Sequence, residues 1–191
     1  MTTDSKTPSA SGYETAVQNP SEDLKLSFEQ SREQSRELSG DKIVNTQEIA
    51  ALLLELKQTW HQTIPVSQFM QVTPMSYDGN RFTVTAPMAP NINLHQTMFA
   101  GSIYTLMTLT GWGMLWLQQQ IAGVEGNIVL ADANIRYHAP ITEDPIVTVI
   151  WPEDITLAPL ATGGKVKVKL EVRLHCADKL CSTFSGLYFS Y

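Results

Sequence analysis

The chain has 191 residues, room for one ordinary domain plus an extension, and 43% of them are hydrophobic, a normal share for a globular protein. Its formal net charge of −6, with no run of Lys or Arg, argues against a nucleic-acid partner. The polar start MTTDSKTPSASGYE has no apolar core and does not read as a signal peptide, so the expected location is the cytoplasm.

Residues 1–44 are rich in Ser, Glu, Gln and Thr and show no sustained hydrophobic period; they are expected to be a disordered tail. Within it, Leu24 to Leu38 has charges at helical spacing, a transient helix at most. Order is expected over residues 45–191. Asn45 followed by Glu48 resembles a capping box, and Ile49, Leu52, Leu53, Leu56 and Trp60 fall on one helical face. Pro65 ends that helix. Val66 to Met75 and Asn80 to Met88 read as two strands around the turn Tyr77-Asp78-Gly79.

Between Arg81 and Glu125 the chain contains no Asp, Glu, Lys or Arg. Met98 to Leu117 is apolar or small on nearly every side, which marks a membrane span or the central helix of a core. It carries Gly, Ser, Thr and Tyr throughout and lacks flanking Lys or Arg, so the core reading is preferred. The helix is expected to end near Gln118 to Gln120, with Gly123 and Gly126 in the turn out. Asn127 to His138 and Pro145 to Trp151 follow as strands. In Lys165 to Leu174 the even positions are apolar and the odd ones charged, a strand with one face in water. Ala177-Asp178-Lys179 turns it into a last strand, Leu180 to Tyr191. Cys176 and Cys181 flank that turn; without export they read as two reduced thiols, a bridge being the other reading. His61, His95, His138 and His175 are far apart with no ligand spacing, so neither a metal nor another cofactor is expected.

An α+β chain with an antiparallel sheet around one long helix resembles the hotdog fold. Phe99 to Thr108 looks like the His-Gly-Gly-x-x-x-x-Leu-x-Asp segment of hotdog acyl-CoA thioesterases, and Ala131 to Pro140 like their strand ending in Arg-Tyr-x-x-Pro. A narrower resemblance covers about Ile49 to Tyr191. Gln58 to Ser67, Asn91 to Ser102, Leu109 to Gly113 and Ile128 to Ala133 are similar to a proteobacterial "putative thioesterase" domain that also occurs fused behind an acetyltransferase domain. That resemblance implies a malonyl-acyl-carrier-protein decarboxylase with Asn93 as its catalytic residue. It also implies a homodimer or dimer of dimers acting on a thioester of acyl carrier protein or coenzyme A. In place of a fused acetyltransferase, the polar tail over residues 1–44 is expected before the domain.

The residues bear on this independently. Hotdog thioesterases use a helix carboxylate as base or nucleophile; here Thr108 takes that position and Phe99 replaces the histidine. For hydrolysis a distant acid would have to fold in, and Asp132 is the candidate. Decarboxylation of a malonyl thioester needs no acid. It needs neutral donors for the thioester oxygen, on which negative charge develops. Asn93 and His95 are the catalytic candidates; helix capping and a structural hydrogen bond are their plainer roles. Asn91, Thr97, Gly101, Ser102, Thr108 and Arg136 are candidates for substrate contact. Asn91 also suits a turn after Pro90, Thr97 sits where a helix cap belongs, and Gly101 and Thr108 share a packing face with Thr105 and Trp112. Arg136 suits a malonyl carboxylate or a carrier phosphate, or an ordinary strand position. Lys165, Lys167, Lys169 and Arg173 form a row that suits an acidic carrier or simply a solvated strand.

Overall fold

The computed structural model describes Met1 and residues 45–191. Apart from Met1, the expected tail over residues 1–44 and its candidate helix lie outside the described residues. Helix α1 spans Thr46–Thr63. The Asn45 side-chain oxygen accepts from the N–H groups of Gln47 (2.9 Å) and Glu48 (3.0 Å), and the Glu48 carboxylate accepts from the Asn45 N–H at 3.0 Å. This reciprocal pairing satisfies donors that the first helical turn leaves open. Leu56 and Trp60 are buried, while Ile49, Leu52 and Leu53 pack at the margin of the core. Asn45→Ala is expected to lower stability by about 1 kcal/mol, read from a urea melt whose slope stays unchanged.

The strand expected from Val66 starts later. Pro65–Phe69 forms a short helix, α2, with the proline in its first turn, where its fixed φ suits a helix and its missing N–H costs nothing. Gln71 then takes a left-handed φ of 57° and turns the chain into β1, Thr73–Tyr77. Strand β2 is Arg81–Thr85. In the turn between them Asp78 Oδ1 accepts from the N–H groups of Arg81 (2.7 Å) and Asn80 (3.1 Å). These two bonds, ahead of the nearby Arg81 charge, hold the Asp78 carboxyl below its ordinary range. A carboxyl lowered in the folded state stabilises the fold above its unfolded pKa, and that contribution disappears as pH falls through the folded value. Asp78→Ala should therefore be less stable than wild type at pH 7, by less than about 1 kcal/mol because the turn is exposed. The gap should close in melts run at pH values below the carboxylate range.

After a 3-10 turn at Ala89–Asn91 comes the long helix α3, Ala100–Ala122. Strands β3 (Ile128–Tyr137) and β4 (Ile146–Ile150) follow, then a second 3-10 turn at Ala158–Thr162, β5 (Val166–Cys176) and β6 (Lys179–Ser190). The six strands form one antiparallel sheet in the order β1-β2-β4-β5-β6-β3. From β2 the chain crosses through α3 to the far edge at β3, then returns to lay β4 beside β2. The sheet thus wraps one helix, as the apolar pattern led us to expect. Pro74 lies in β1, an edge strand, where a missing ladder donor is tolerated.

Helix α3 starts later and ends later than expected. Its N-cap is Phe99 rather than Thr97, and it runs on to Ala122 before Gly123 closes it at φ 64°. The extension has a side-chain cause: buried Gln119 Nε2 donates to Ser190 Oγ at 2.6 Å and to the Gly126 carbonyl at 3.3 Å. A residue that reads as a polar helix end is thereby satisfied inside. Two glycines set the depth of the helix. A Cβ on Gly111 would meet the Tyr188 hydroxyl oxygen at 2.3 Å, and one on Gly113 would meet Trp60 of α1 at 2.5 Å. On β5 the alternation is as expected, with Val166, Val168, Leu170, Val172 and Leu174 buried under α3 and the charged residues between them exposed. Cys176 and Cys181 are free and buried. No helix among the described residues is long and apolar enough to cross a membrane.

Candidate active site at the start of α3

The uncharged loop before α3 folds as a small hairpin. Ile92 bridges to Met98, the Asn93 N–H donates to the Thr97 carbonyl at 2.8 Å, and the Phe99 N–H donates to the Asn91 carbonyl at 2.7 Å. Gln96 takes a left-handed φ of 60° to close the turn. The tip, Leu94-His95-Gln96, is exposed, with Leu94 at 84%.

Asn93 stands at the neck of this hairpin and is half-buried. Its Oδ1 accepts from the His95 N–H at 2.8 Å and lies 3.4 Å from the Thr97 N–H. Its Nδ2 donates to Thr97 Oγ1 at 3.0 Å. A carboxamide NH2 carries two hydrogens, so one donor remains after Thr97 is served. The oxygen holds the loop and the nitrogen keeps a hydrogen for something else. Thr97 therefore orients Asn93 rather than capping α3. His95 enters this network through its backbone, and its ring sits at the exposed tip.

Asn91 has a different place. It is 1% exposed, and its Nδ2 donates to the carbonyls of Met70 (2.9 Å) and Pro87 (2.8 Å). It ties the base of the loop to the end of α2 and the exit from β2.

The first turn of α3 contains no acidic residue. Among the described residues nothing accepts a hydrogen bond from the N–H groups of Ala100, Gly101 and Ser102, whereas the Ile103 N–H already serves the Phe99 carbonyl at 3.0 Å. Open N–H groups at the positive end of a 23-residue helix form a ready site for negative charge. Gly101 lets the Phe99 ring lie over this turn, since a Cβ there would come within 2.3 Å of the ring. Ser102 is half-buried in the same turn.

Two turns further on, Thr108 behaves unlike its neighbours. Thr105 and Thr110 return their hydroxyls to the carbonyls of Gly101 (2.9 Å) and Leu106 (2.8 Å). The Thr108 hydroxyl is buried and has no partner among the described residues, while its carbonyl accepts from the Tyr188 hydroxyl at 2.9 Å. Burial pushes the Tyr188 phenol far above its ordinary range, so it remains a donor.

Arg136 is not brought to this loop. It pairs with Thr183 on the sheet face turned away from α3, and Asp132, opposite Leu187, points the same way. The acid that the thioesterase reading would have to recruit is thus on the far side of the sheet. The neighbouring Tyr137 is the residue that reaches the site: its hydroxyl donates to the Ala100 carbonyl at 3.1 Å. Burial, helped by Tyr104, raises its pKa, so the phenol stays protonated. Its place in the Arg-Tyr-x-x-Pro ending was the available signal; strand alternation puts it on the opposite face from Arg136. Among the described residues no group of three or more His, Cys, Asp or Glu could hold a metal ion.

The comparisons agree with this architecture. Residues 53–191 match the family described as "Putative thioesterase (yiiD_Cterm)". The chain is 63% identical to a thioesterase-like protein of Shewanella oneidensis whose crystal structure it matches over 74% of this chain and 99% of that one, at a TM-score of 0.73. A "probable thioesterase" of Pseudomonas aeruginosa matches at 18% identity over 72% of this chain and 96% of that one, TM-score 0.59. A thioesterase of Haemophilus influenzae matches at 13% identity, 72% and 88% coverage and TM-score 0.57, which speaks to the fold alone. The sheet, its strand order and the wrapped helix are those of a hotdog, thioesterase-like protein. More narrowly, the chain belongs to the yiiD C-terminal thioesterase-like family.

Proposed function

We propose that this protein is a malonyl-thioester decarboxylase, releasing carbon dioxide from malonyl-acyl-carrier protein to give the acetyl carrier that starts fatty-acid synthesis in the cytoplasm. One observation carries the reading. The loop and helix that should hold a thioesterase acid contain no carboxylate, and their polar groups are neutral donors. In the reaction the bond between the carboxylate carbon and the methylene breaks. Its electron pair moves through the methylene into the thioester carbonyl, giving carbon dioxide and an enolate. The remaining Asn93 Nδ2 hydrogen and the open N–H groups of α3 are the donors for the enolate oxygen. They act on charge that is absent from that oxygen in the bound substrate and develops in the transition state, which is how such donors accelerate a reaction. The methylene carbon then takes a proton, with His95 the nearest titratable group on the loop, and acetyl thioester leaves. A nearby carboxylate would repel both the malonate and the enolate. Ser102 and Thr108 are the further candidates for lining the acyl pocket.

The long β3 edge supports a dimer. β3 has ten residues and, among the described residues, only β6 beside it, and its exposed edge suits pairing with a second copy.

The family description favours a second reading, hydrolysis of an acyl thioester. Mass spectrometry of malonyl- and acetyl-loaded carrier after incubation with the protein separates the two. Acetyl carrier accumulating from malonyl carrier is the expected result. Free carrier appearing from both substrates would establish hydrolysis instead, and no change in either would leave a non-catalytic carrier-binding module.

A further inference from the structure

Residues 45–191 include eight Lys and Arg, and five of them stand on one surface: Arg136 on β3, Lys165 just before β5, and Lys167, Lys169 and Arg173 along β5. This is the face turned away from α3, because the residues that alternate with them on β5 are buried beneath the helix. The strands of this face contribute two of the eleven acids of the same span, Asp132 and Glu171. A domain with more acid than base thus gathers its positive charge in one place.

The strip is ordered by what lies under it. Lys165 Nζ sits 5.4 Å from the centre of the Tyr191 ring, and Lys167 Nζ 5.9 Å from that of Phe189. Arg173 and Arg136 both stand opposite Thr183, on either side of β6, and border a shallow basin of about 320 Å³ with Asn134 and Ser185. Among the described residues the salt bridge of this strip is Lys169 to Glu171 at 3.8 Å, so the two arginines have no carboxylate partner there. Lysines that merely guard against aggregation belong on sheet edges. β5 lies between β4 and β6, so edge protection does not account for them. The arginine end of the strip is also the end near the candidate site, since Tyr137, next to Arg136, bonds the first residue of α3.

We propose that this outer sheet face is the docking surface for an acidic protein, and that the docked protein is the acidic acyl carrier that delivers the thioester. The identity of the partner rests on the function proposed above; the charge complementarity does not. Opposite charge spread along a strip speeds encounter and fixes register, and both effects weaken as salt rises.

The test compares malonyl carrier protein with malonyl-pantetheine, which lacks the protein, on the full chain and on a Lys165→Gln/Lys167→Gln/Lys169→Gln/Arg173→Gln variant. The variant should raise KM for the carrier substrate at least tenfold, leave kcat and the turnover of malonyl-pantetheine unchanged, and remove most of the salt dependence of KM. Glu171→Gln, which deletes the acid within the strip, should lower KM severalfold. An unchanged KM for the carrier substrate, or equal losses on both substrates, would overturn the proposal. Titration of fluorescently labelled holo-carrier into the protein reads docking without turnover, so a protein that decarboxylates neither substrate still gives an answer. Salt-sensitive binding weakened in the variant supports docking; absent binding, or binding the variant retains, overturns it. A changed oligomeric state of the variant in sedimentation would assign the face to a contact between copies and overturn it equally.

Discussion

Asn93→Asp is expected to lower decarboxylation of malonyl carrier by about 10²–10³-fold, the usual effect of losing one preorganised donor to a developing oxyanion. The substitution separates the two roles of the side chain. Aspartate keeps an oxygen where Asn93 Oδ1 meets the backbone of His95 and Thr97, so the loop hairpin should persist. It replaces the Nδ2 donor with a negative oxygen that repels both malonate and enolate. A melting temperature near wild type together with the lost rate would assign Asn93 to the chemistry. Full activity in the variant would remove it from the site. Asn93→Ala is the poorer experiment, because it also deletes the loop's acceptor and so confounds folding with catalysis.

Gly111→Ala is expected to give the largest loss of stability of any single methyl group added to this helix. The new Cβ would lie 2.3 Å from the Tyr188 hydroxyl oxygen and 2.7 Å from its ring. Tyr188 is fully buried and its hydroxyl is held by the Thr108 carbonyl at 2.9 Å, so the ring has nowhere to swing. Overpacking of this kind costs about 2–3 kcal/mol, a fall in Tm of roughly 5–10 °C for a domain of this size. Tyr188→Phe removes the clashing oxygen at the expense of one buried hydrogen bond, about 1 kcal/mol. The double variant should therefore be more stable than the sum of the two single losses predicts. Strict additivity in thermal melts would show that helix and sheet adjust independently at this point.

Much of the fold was legible because hydrophobic periodicity is a local record of burial. The alternation over Lys165 to Leu174 gave β5 with its faces correctly assigned, and the all-round apolar stretch gave α3 as a core helix. One error was local and another fell where tertiary partners decide. Val66 to Phe69 has strand-like side chains, but the proline before it starts a helical turn. The glutamines after Leu117 look like a helix end until Ser190 and the Gly126 carbonyl supply a partner for Gln119.

The candidate site divides in the same way. Its chemical character, neutral donors without a carboxylate, was fixed by composition between Arg81 and Glu125, since no folding can add a charge the segment lacks. Which neutral group faces which was settled only by the folded chain. Thr97 turned out to orient Asn93 because the helix starts at Ala100, and Asn91 proved to be an anchor because Met70 and Pro87 come to it from other elements. Arg136 and Tyr137 are adjacent in sequence, yet the two-residue period of a strand sends the arginine to the outer face and the tyrosine to α3. By itself the sequence determined a buried helix, the sheet that covers it and a loop free of charge, because each is set by the kinds of residue in a row. Only the tertiary structure decided which side chains meet at the loop, because those meetings depend on strand register and on contacts between elements far apart in the chain.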